Sequence, residues 1–254
     1  PFYDDTQSSF TNFAMSGIDE RCMGLELGLS VPIAWGLSLQ GAVSLGDYIY
    51  TSNPEFTQMI DNSATDVVHS RVNWKGMKVE STPQTAINVS LNFRGPNNWF
   101  ASVDFNYYDR LYLSMNPMYR TEYLANEIKR IYDWNNLETG RQKAYVVGII
   151  DEIRQQEDLG NAYTLSASIG KNFRIKYKYT LGFSLQVNNI LNNQRIRTGG
   201  YEQMRLNKLS DPIIFPNADG EMVITKKPTT YSRFDSKYFY MNGINYYLNI
   251  YFRF

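Results

Sequence analysis

Hydrophobic and polar residues alternate along seven stretches of this chain, most regularly at its end. From Ile244 onward, Ile244, Tyr246, Leu248, Ile250, Phe252 and Phe254 fall on one side, and Asn245, Tyr247, Asn249, Tyr251 and Arg253 on the other. Successive side chains of a β-strand point to opposite faces, so this period of two predicts one extended strand with an apolar and a polar face. Strands in soluble domains usually run ~5–6 residues. A tilted strand crossing a bilayer needs roughly 9–11.

Six earlier stretches repeat the pattern. Met23, Leu25, Leu27 and Leu29 oppose Gly24, Glu26, Gly28 and Ser30. After a turn at Val31–Ala34, Leu37, Leu39, Val43 and Leu45 oppose Ser38, Gln40, Ala42, Ser44 and Gly46, and the strand leaves through Tyr48 and Tyr50. Ile87, Val89, Leu91 and Phe93 alternate with Asn88, Ser90, Asn92 and Arg94. The turn-rich Gly95-Pro96-Asn97-Asn98 leads into Trp99, Ala101, Val103, Phe105 and Tyr107, set against Ser102, Asp104 and Asn106. Tyr163, Leu165, Ala167 and Ile169 alternate with Thr164, Ser166, Ser168 and Gly170. Beyond a basic turn at Lys171–Lys178, Leu181, Phe183, Leu185 and Val187 oppose Gly182, Ser184, Gln186 and Asn188.

The connections alternate in length, with short turns near 31–34, 95–98 and 171–178 and long loops over 52–82, 115–160 and 191–237. Short turns at one end and long loops at the other are the asymmetry of outer-membrane barrels. The second loop departs from the period of two. Asn116-Pro117 suits a helix cap followed by proline, and Leu124, Ile128, Ile131 and then Val146, Ile150, Ile153 recur at i, i+4, i+7. Two short helices are predicted in an external loop. Residues 1–20 give no clear strand beyond a weak one at Phe10–Met15.

Composition agrees with this picture. Aromatics are 15% of the chain, with 20 Tyr, and amphipathic rings favour membrane–water interfaces. With 25 basic and 25 acidic residues the chain lacks the basic excess of a nucleic-acid binder. No run of about 18 apolar residues predicts a transmembrane helix, which leaves barrel strands untouched. Cys22 alone forms no internal disulfide, and His69, the single histidine, reads as a loop residue. Pro1-Phe2-Tyr3-Asp4-Asp5 has no signal-peptide character, so an exported chain implies a leader already removed or more sequence upstream.

The polar faces carry mostly Ser, Gly, Asn, Gln and Thr. A closed barrel of eight strands must fill its interior with side chains, whereas wider barrels hold a channel or a plug. Small polar residues therefore predict a wide lumen, and seven strands, an odd number, predict part of a larger barrel. The alternative is a complete eight-stranded barrel that recruits Phe10–Met15. On either reading residues 1–254 belong to one all-β, antiparallel transmembrane barrel domain. Leu39, Leu91, Val103, Leu165, Leu185 and Ile250 are expected to face lipid. Glu26, Arg94, Asp104, Gln186, Asn249 and Arg253 are expected to face the lumen.

The segments Gly24-Leu25-Glu26-Leu27-Gly28, Phe105-Asn106-Tyr107-Tyr108-Asp109-Arg110-Leu111-Tyr112, Val187-Asn188-Asn189-Ile190-Leu191-Asn192 and Gly243-Ile244-Asn245-Tyr246 resemble TonB-dependent outer-membrane receptors, especially the SusC-like branch. The resemblance runs in strand order from about Met23 to Phe254. It implies the C-terminal part of a barrel of about 22 strands with a plugged lumen in the bacterial outer membrane. It also implies active nutrient import, energy relayed by the TonB system through the plug, and a SusD-like surface lipoprotein as a partner. Tyr246, Leu248, Ile250, Phe252 and Phe254 would form the C-terminal assembly signal.

Nothing in the sequence assembles a catalytic set, because the lone His69 has no evident nucleophile beside it. An outer-membrane enzyme is therefore disfavoured, and no cofactor is expected. Gly199-Gly200 lacks the spacing of a phosphate loop. Tyr119, Tyr123, Trp134 and Tyr201 are the loop aromatics that could stack on a sugar or clamp a peptide. A small structural or adhesive barrel is the second functional class.

Overall fold

The structure is a computed structural model, and it describes residues 2–4, 9–61, 67–176, 178–204, 206–209, 213–216, 219–226 and 230–254. Seven long strands form one antiparallel sheet: β1 (Glu20–Pro32), β2 (Leu37–Tyr50), β3 (Thr85–Arg94), β4 (Trp99–Asp109), β5 (Ala162–Ile175), β6 (Tyr179–Asn188) and β7 (Asn245–Arg253). Each pairs with its neighbours in chain order. The fold is an all-β antiparallel meander, as the alternation predicts. Among the described residues β1 pairs only with β2 and β7 only with β6, so the sheet has two open edges.

Directly opposed residues of antiparallel strands lie on the same face, so the register settles which side chains share a side. One row runs Val31, Leu39, Leu91, Val103, Ala167, Val187, Tyr246. The next runs Pro32, Ser38, Asn92, Ser102, Ser168, Gln186, Tyr247. All six residues expected on the apolar side lie on one face of the sheet, and all six expected on the polar side lie on the other. Among the described residues nothing else covers the apolar face. Leu39, Leu91, Val103, Leu185 and Ile250 are exposed, Ile250 to 66%, and Leu165 is half-buried.

The three short connections are tight. The first lies at Ile33–Gly36, two residues beyond the expected Val31–Ala34, because β1 continues to Pro32. Trp35 and Gly36 both have positive φ, and Leu37 N–H donates to Ala34 O at 2.8 Å, the two-residue hairpin that suits strand twist. A Cβ on Gly36 would sit 2.0 Å from the Arg94 carbonyl oxygen, so only glycine fits there. In the last short turn β5 continues to Ile175, which moves most of the expected basic turn onto a strand.

A meander puts all long connections at the opposite end, where they fold together. The first long loop, expected as a polar segment, contains strands Glu55–Ile60 and Val67–Arg71. His69 is thus on a strand rather than in a loop, its Nδ1 3.1 Å from Thr57 Oγ1. The weak strand expected at Phe10–Met15 exists as Ser9–Ser16. It pairs with Glu55–Ile60 and not with β7, so the eighth strand of the small-barrel alternative is committed elsewhere.

The second long loop holds helices α1 (Glu122–Ile131) and α2 (Gly140–Arg154). Asn116 caps only a 3₁₀ turn at Pro117–Arg120, its side chain accepting from Met118 N–H. Thr121 caps α1, and Thr139 with Gln142 forms a capping box on α2. Tyr50 at the end of β2 and Phe56, Val72 and Trp74 of the first loop pack with Met115, Met118, Tyr119, Leu124, Ile128, Val146, Ile150 and Ile153 of the second. The molecule's hydrophobic core therefore lies in this cap and not on the sheet. The third long loop contributes hairpins, including Arg197–Tyr201 with Lys237–Tyr240. The turn expected at Pro216–Gly220 lies partly outside the described residues. No helix among the described residues is long and apolar enough to cross a membrane.

Candidate functional site

Two features converge at the cap end of the sheet: a hydrogen-bonded polar face and a buried ionic latch between loops.

Hydrogen bonds link many side chains of the polar face, although Asn92 Nδ2 is buried without a partner. Ser90 Oγ and Ser102 Oγ donate to Asp104 at 2.6 and 2.9 Å, Asn88 Nδ2 donates to Asn106 Oδ1 at 2.9 Å, and Asn188 Nδ2 to Asn245 Oδ1 at 2.9 Å. Ser102 and Ser168 hydroxyls lie 2.9 Å apart. Asp104 gains two hydroxyl donors. Ser44 Oγ donates to Glu26 at 3.3 Å. Two shallow cavities open on this face. One of about 420 Å³ is lined by Glu26, Ser44, Asn88, Asn106 and Tyr108. Another of about 490 Å³ near the short turns is lined by Asn92, Arg94, Asn98, Ser102, Ser168 and Asn172. The wall offers hydroxyls and amides at close spacing with few fixed charges.

Within the cap, Arg120 and Glu202 are both almost wholly buried. Arg120 Nη2 donates to Glu202 Oε1 at 2.8 Å and Nη1 to Oε2 at 2.5 Å. Arg233 Nη2 also donates to Oε1 at 2.7 Å, and Asn116 N–H to Oε2 at 2.7 Å. The guanidiniums of Arg120 and Arg233 each donate to Gln155 O at 3.0 Å. A buried ion pair needs such extra partners to offset its desolvation. Glu157 makes a second link, accepting from Ser236 Oγ at 3.0 Å, Tyr238 Oη at 2.5 Å and Arg197 at 3.3 Å. Gly200 lets the loops meet, since a Cβ there would lie 2.1 Å from Lys237 O and 2.9 Å from Leu113 Cδ1. The third loop is thereby fixed to the second. None of these ionic residues stood out in the sequence, because partners 82 residues apart leave no local pattern.

Burial also holds the Glu80 carboxyl above the usual carboxylate range. Tyr50 Oη donates to it at 2.8 Å.

The four loop aromatics separate. Tyr119 is only 1% exposed, its hydroxyl donating to Gln203 O at 2.9 Å; it packs in the loop core and offers no surface to a ligand. Trp134 is half-buried between the ammonium groups of Lys129 and Lys143, 5.3 and 5.8 Å from its ring centre. Tyr123 and Tyr201 are exposed, Tyr201 with its ring centre 6.1 Å from that of Phe239. A cleft of about 370 Å³ between α1 and α2 is lined by Asn73, Glu122, Asn126, Lys129, Asp151 and Arg154.

Comparison with known proteins brings no family assignment: no family model and no curated protein matches the chain.

Proposed function

We propose that this chain is the C-terminal part of an outer-membrane β-barrel, seven strands of a larger barrel of about 22, and that the whole protein is an active nutrient importer of the TonB-dependent receptor class. The observation that carries the reading is the two-faced sheet. One face is apolar and unpartnered across all seven strands, and the other is a continuous polar wall. Water does not favour such an exposed apolar face; a bilayer does. Along β4 the apolar band from Trp99 to Tyr107 spans eight residue steps, roughly 27 Å of strand. Tilted by about 40°, that is roughly 21 Å of bilayer, close to the ~25 Å band of such barrels.

On this reading the cap is extracellular, and the polar face lines a lumen that holds the plug. Arg94, Arg253 and Glu26 pair with plug or solute. The open edges of β1 and β7 pair with the remaining strands, since lipid leaves no partner for free backbone groups. The TonB system acts through the plug, and a SusD-like lipoprotein would sit over the cap. The pairing of Ser9–Ser16 away from β7 weighs against a small self-contained barrel.

The test is a pair of substitutions in the whole protein. Leu185→Arg places a charge at the bilayer face and should cost roughly 2–4 kcal/mol of barrel stability, while Gln186→Arg, one residue on, should cost far less. Heat-modifiable gel mobility in outer-membrane fractions reads out the folded barrel. Equal losses for the two variants would refute the membrane register.

A further inference from the structure

The chain is neutral overall, but its charge is sharply divided along the strands. The segments at the short-turn end, residues 28–42, 92–101, 168–182 and 250–254, hold six basic residues and no acidic one. They are Arg94, Lys171, Arg174, Lys176, Lys178 and Arg253. With 25 of each sign in the chain, 19 basic residues face 25 acidic ones elsewhere. None of the six forms a salt bridge among the described residues.

Two of them reach aromatic rings of the apolar face, Lys171 from within β5 and Lys178 from the turn before β6. Lys171 lies in the row of Trp99, Phe183 and Ile250, a position where a cation is costly unless it reaches the headgroups. Its ammonium lies 4.7 Å from the Trp99 ring centre and 4.8 Å from that of Phe173. Lys178 lies 5.4 Å from the Tyr179 ring centre, and Tyr179 stacks on Phe252 at 5.8 Å. The apolar band thus ends in an aromatic rim that carries two unpaired ammonium groups. Rings hold a lysine at the level of the interface, and each ammonium keeps donors free for phosphate oxygens.

We propose that this rim is a binding site for anionic phospholipid headgroups, with Lys171 and Lys178 as the phosphate-contacting residues and Trp99, Phe173 and Tyr179 as the supports that position them. The proposal rests on the membrane-spanning reading. Charge complementarity and continuity with the apolar band select a lipid as occupant over a soluble anion, which would need no aromatic collar. Of the remaining four cations, Arg94, Arg174 and Arg253 fall on the polar face and Lys176 lies in the turn after β5; none of them takes part.

The experiment uses the whole protein in nanodiscs of phosphatidylcholine in which either the phosphatidylcholine or an added fraction of phosphatidylglycerol carries brominated acyl chains. Bromine quenches the tryptophans at the short-turn rim, Trp35 and Trp99; those of the cap, Trp74 and Trp134, give the same background in both lipids. Phosphatidylglycerol should quench in excess of its mole fraction, and Lys171→Gln and Lys178→Gln should each lower that preference about fivefold at low salt. The double variant and 1 M salt should bring it to parity. Gel mobility confirms that each variant is folded. Equal quenching by both lipids in the native protein, or a preference that survives in the double variant, would overturn the headgroup site and leave the membrane reading standing. No quenching by either lipid would overturn the membrane reading itself.

Discussion

Glu202→Gln is the most informative single change in the cap. The carboxylate is buried and accepts from Arg120, Arg233 and the Asn116 amide. The amide that replaces it keeps the shape but has no charge and turns donors toward donors. Arg120, fully buried, is left without its counter-ion, which costs about 3–5 kcal/mol when one partner of such a pair is removed. That loss falls on the seam between the second and third loops and not on the sheet. At 1.36 kcal/mol per tenfold, it corresponds to an increase of about 10² to 10³ or more in the opening equilibrium of the seam. Hydrogen exchange of the whole protein reads this directly. The Glu202 amide donates to Ser114 O at 2.9 Å and the Ser114 amide to Gly200 O at 3.4 Å; both should lose about two to three orders of protection, while amides of β5 and β6 keep theirs. Replacing the pair by apolar side chains, Arg120→Met with Glu202→Leu, should recover most of the protection. About 1–3 kcal/mol would stay lost, because the Asn116 amide then has no acceptor. Protection within threefold of native in Glu202→Gln would refute the latch.

Two further outcomes follow from the cap. A glutamate-specific protease added to intact cells should cut at exposed Glu138, in the link between α1 and α2, while Gly95–Asn98 stays inaccessible to proteases until the membrane is opened; cleavage at that turn in intact cells would invert the topology. Because burial raises the Glu80 pKa, the folded cap binds a proton more tightly than the unfolded chain. Its stability should fall as pH rises from the ordinary value near 4.5 through the raised one, and Glu80→Gln should flatten this slope in thermal melts followed by fluorescence of Trp74; an unchanged slope would discount Glu80 as its source.

The sheet was readable from the sequence because each strand obeys one rule over many consecutive residues. Leu181, Phe183, Leu185 and Val187 announce their own face without reference to anything distant. The helices were readable for the same reason, their Leu124, Ile128 and Val146, Ile150, Ile153 falling at helical spacing and becoming the buried faces. The first loop hid its structure because its short strands bury polar residues too. Gln58 is 2% exposed, on the buried side with Phe56, so Glu55–Ile60 has no clean alternation. Phe10–Met15 was recognisable as a strand but not in its pairing, since a short alternating segment fits any edge of similar length. Tyr119 looked like a loop aromatic until the fold brought Gln203 to its hydroxyl. Arg120 and Glu202 carried no local signal at all, because their pairing spans 82 residues of chain.

The cap and the sheet obtain their stability from different sources, and under the proposed importer function this decides what each can do. The cap carries its own apolar core, from Phe56 and Val72 to Ile150, and needs no lipid to bury it. The sheet has no such core. Every residue of β1 and β7 is exposed, so on the proposed membrane reading the sheet relies on a bilayer for one face and on further strands for its edges. A self-supporting cap can hold a fixed outer surface while the wall beneath it remains a smooth polar track. The latch at Arg120 and Glu202 then governs whether the third loop moves with the cap or independently of it. Any gating of the cap must either open that buried pair, at the large cost of exposing or orphaning its charges, or move both loops as one body. The geometry favours the second, because Glu157 ties the same two loops at a separate point, and two attachments along one seam resist the hinge that a single one would allow.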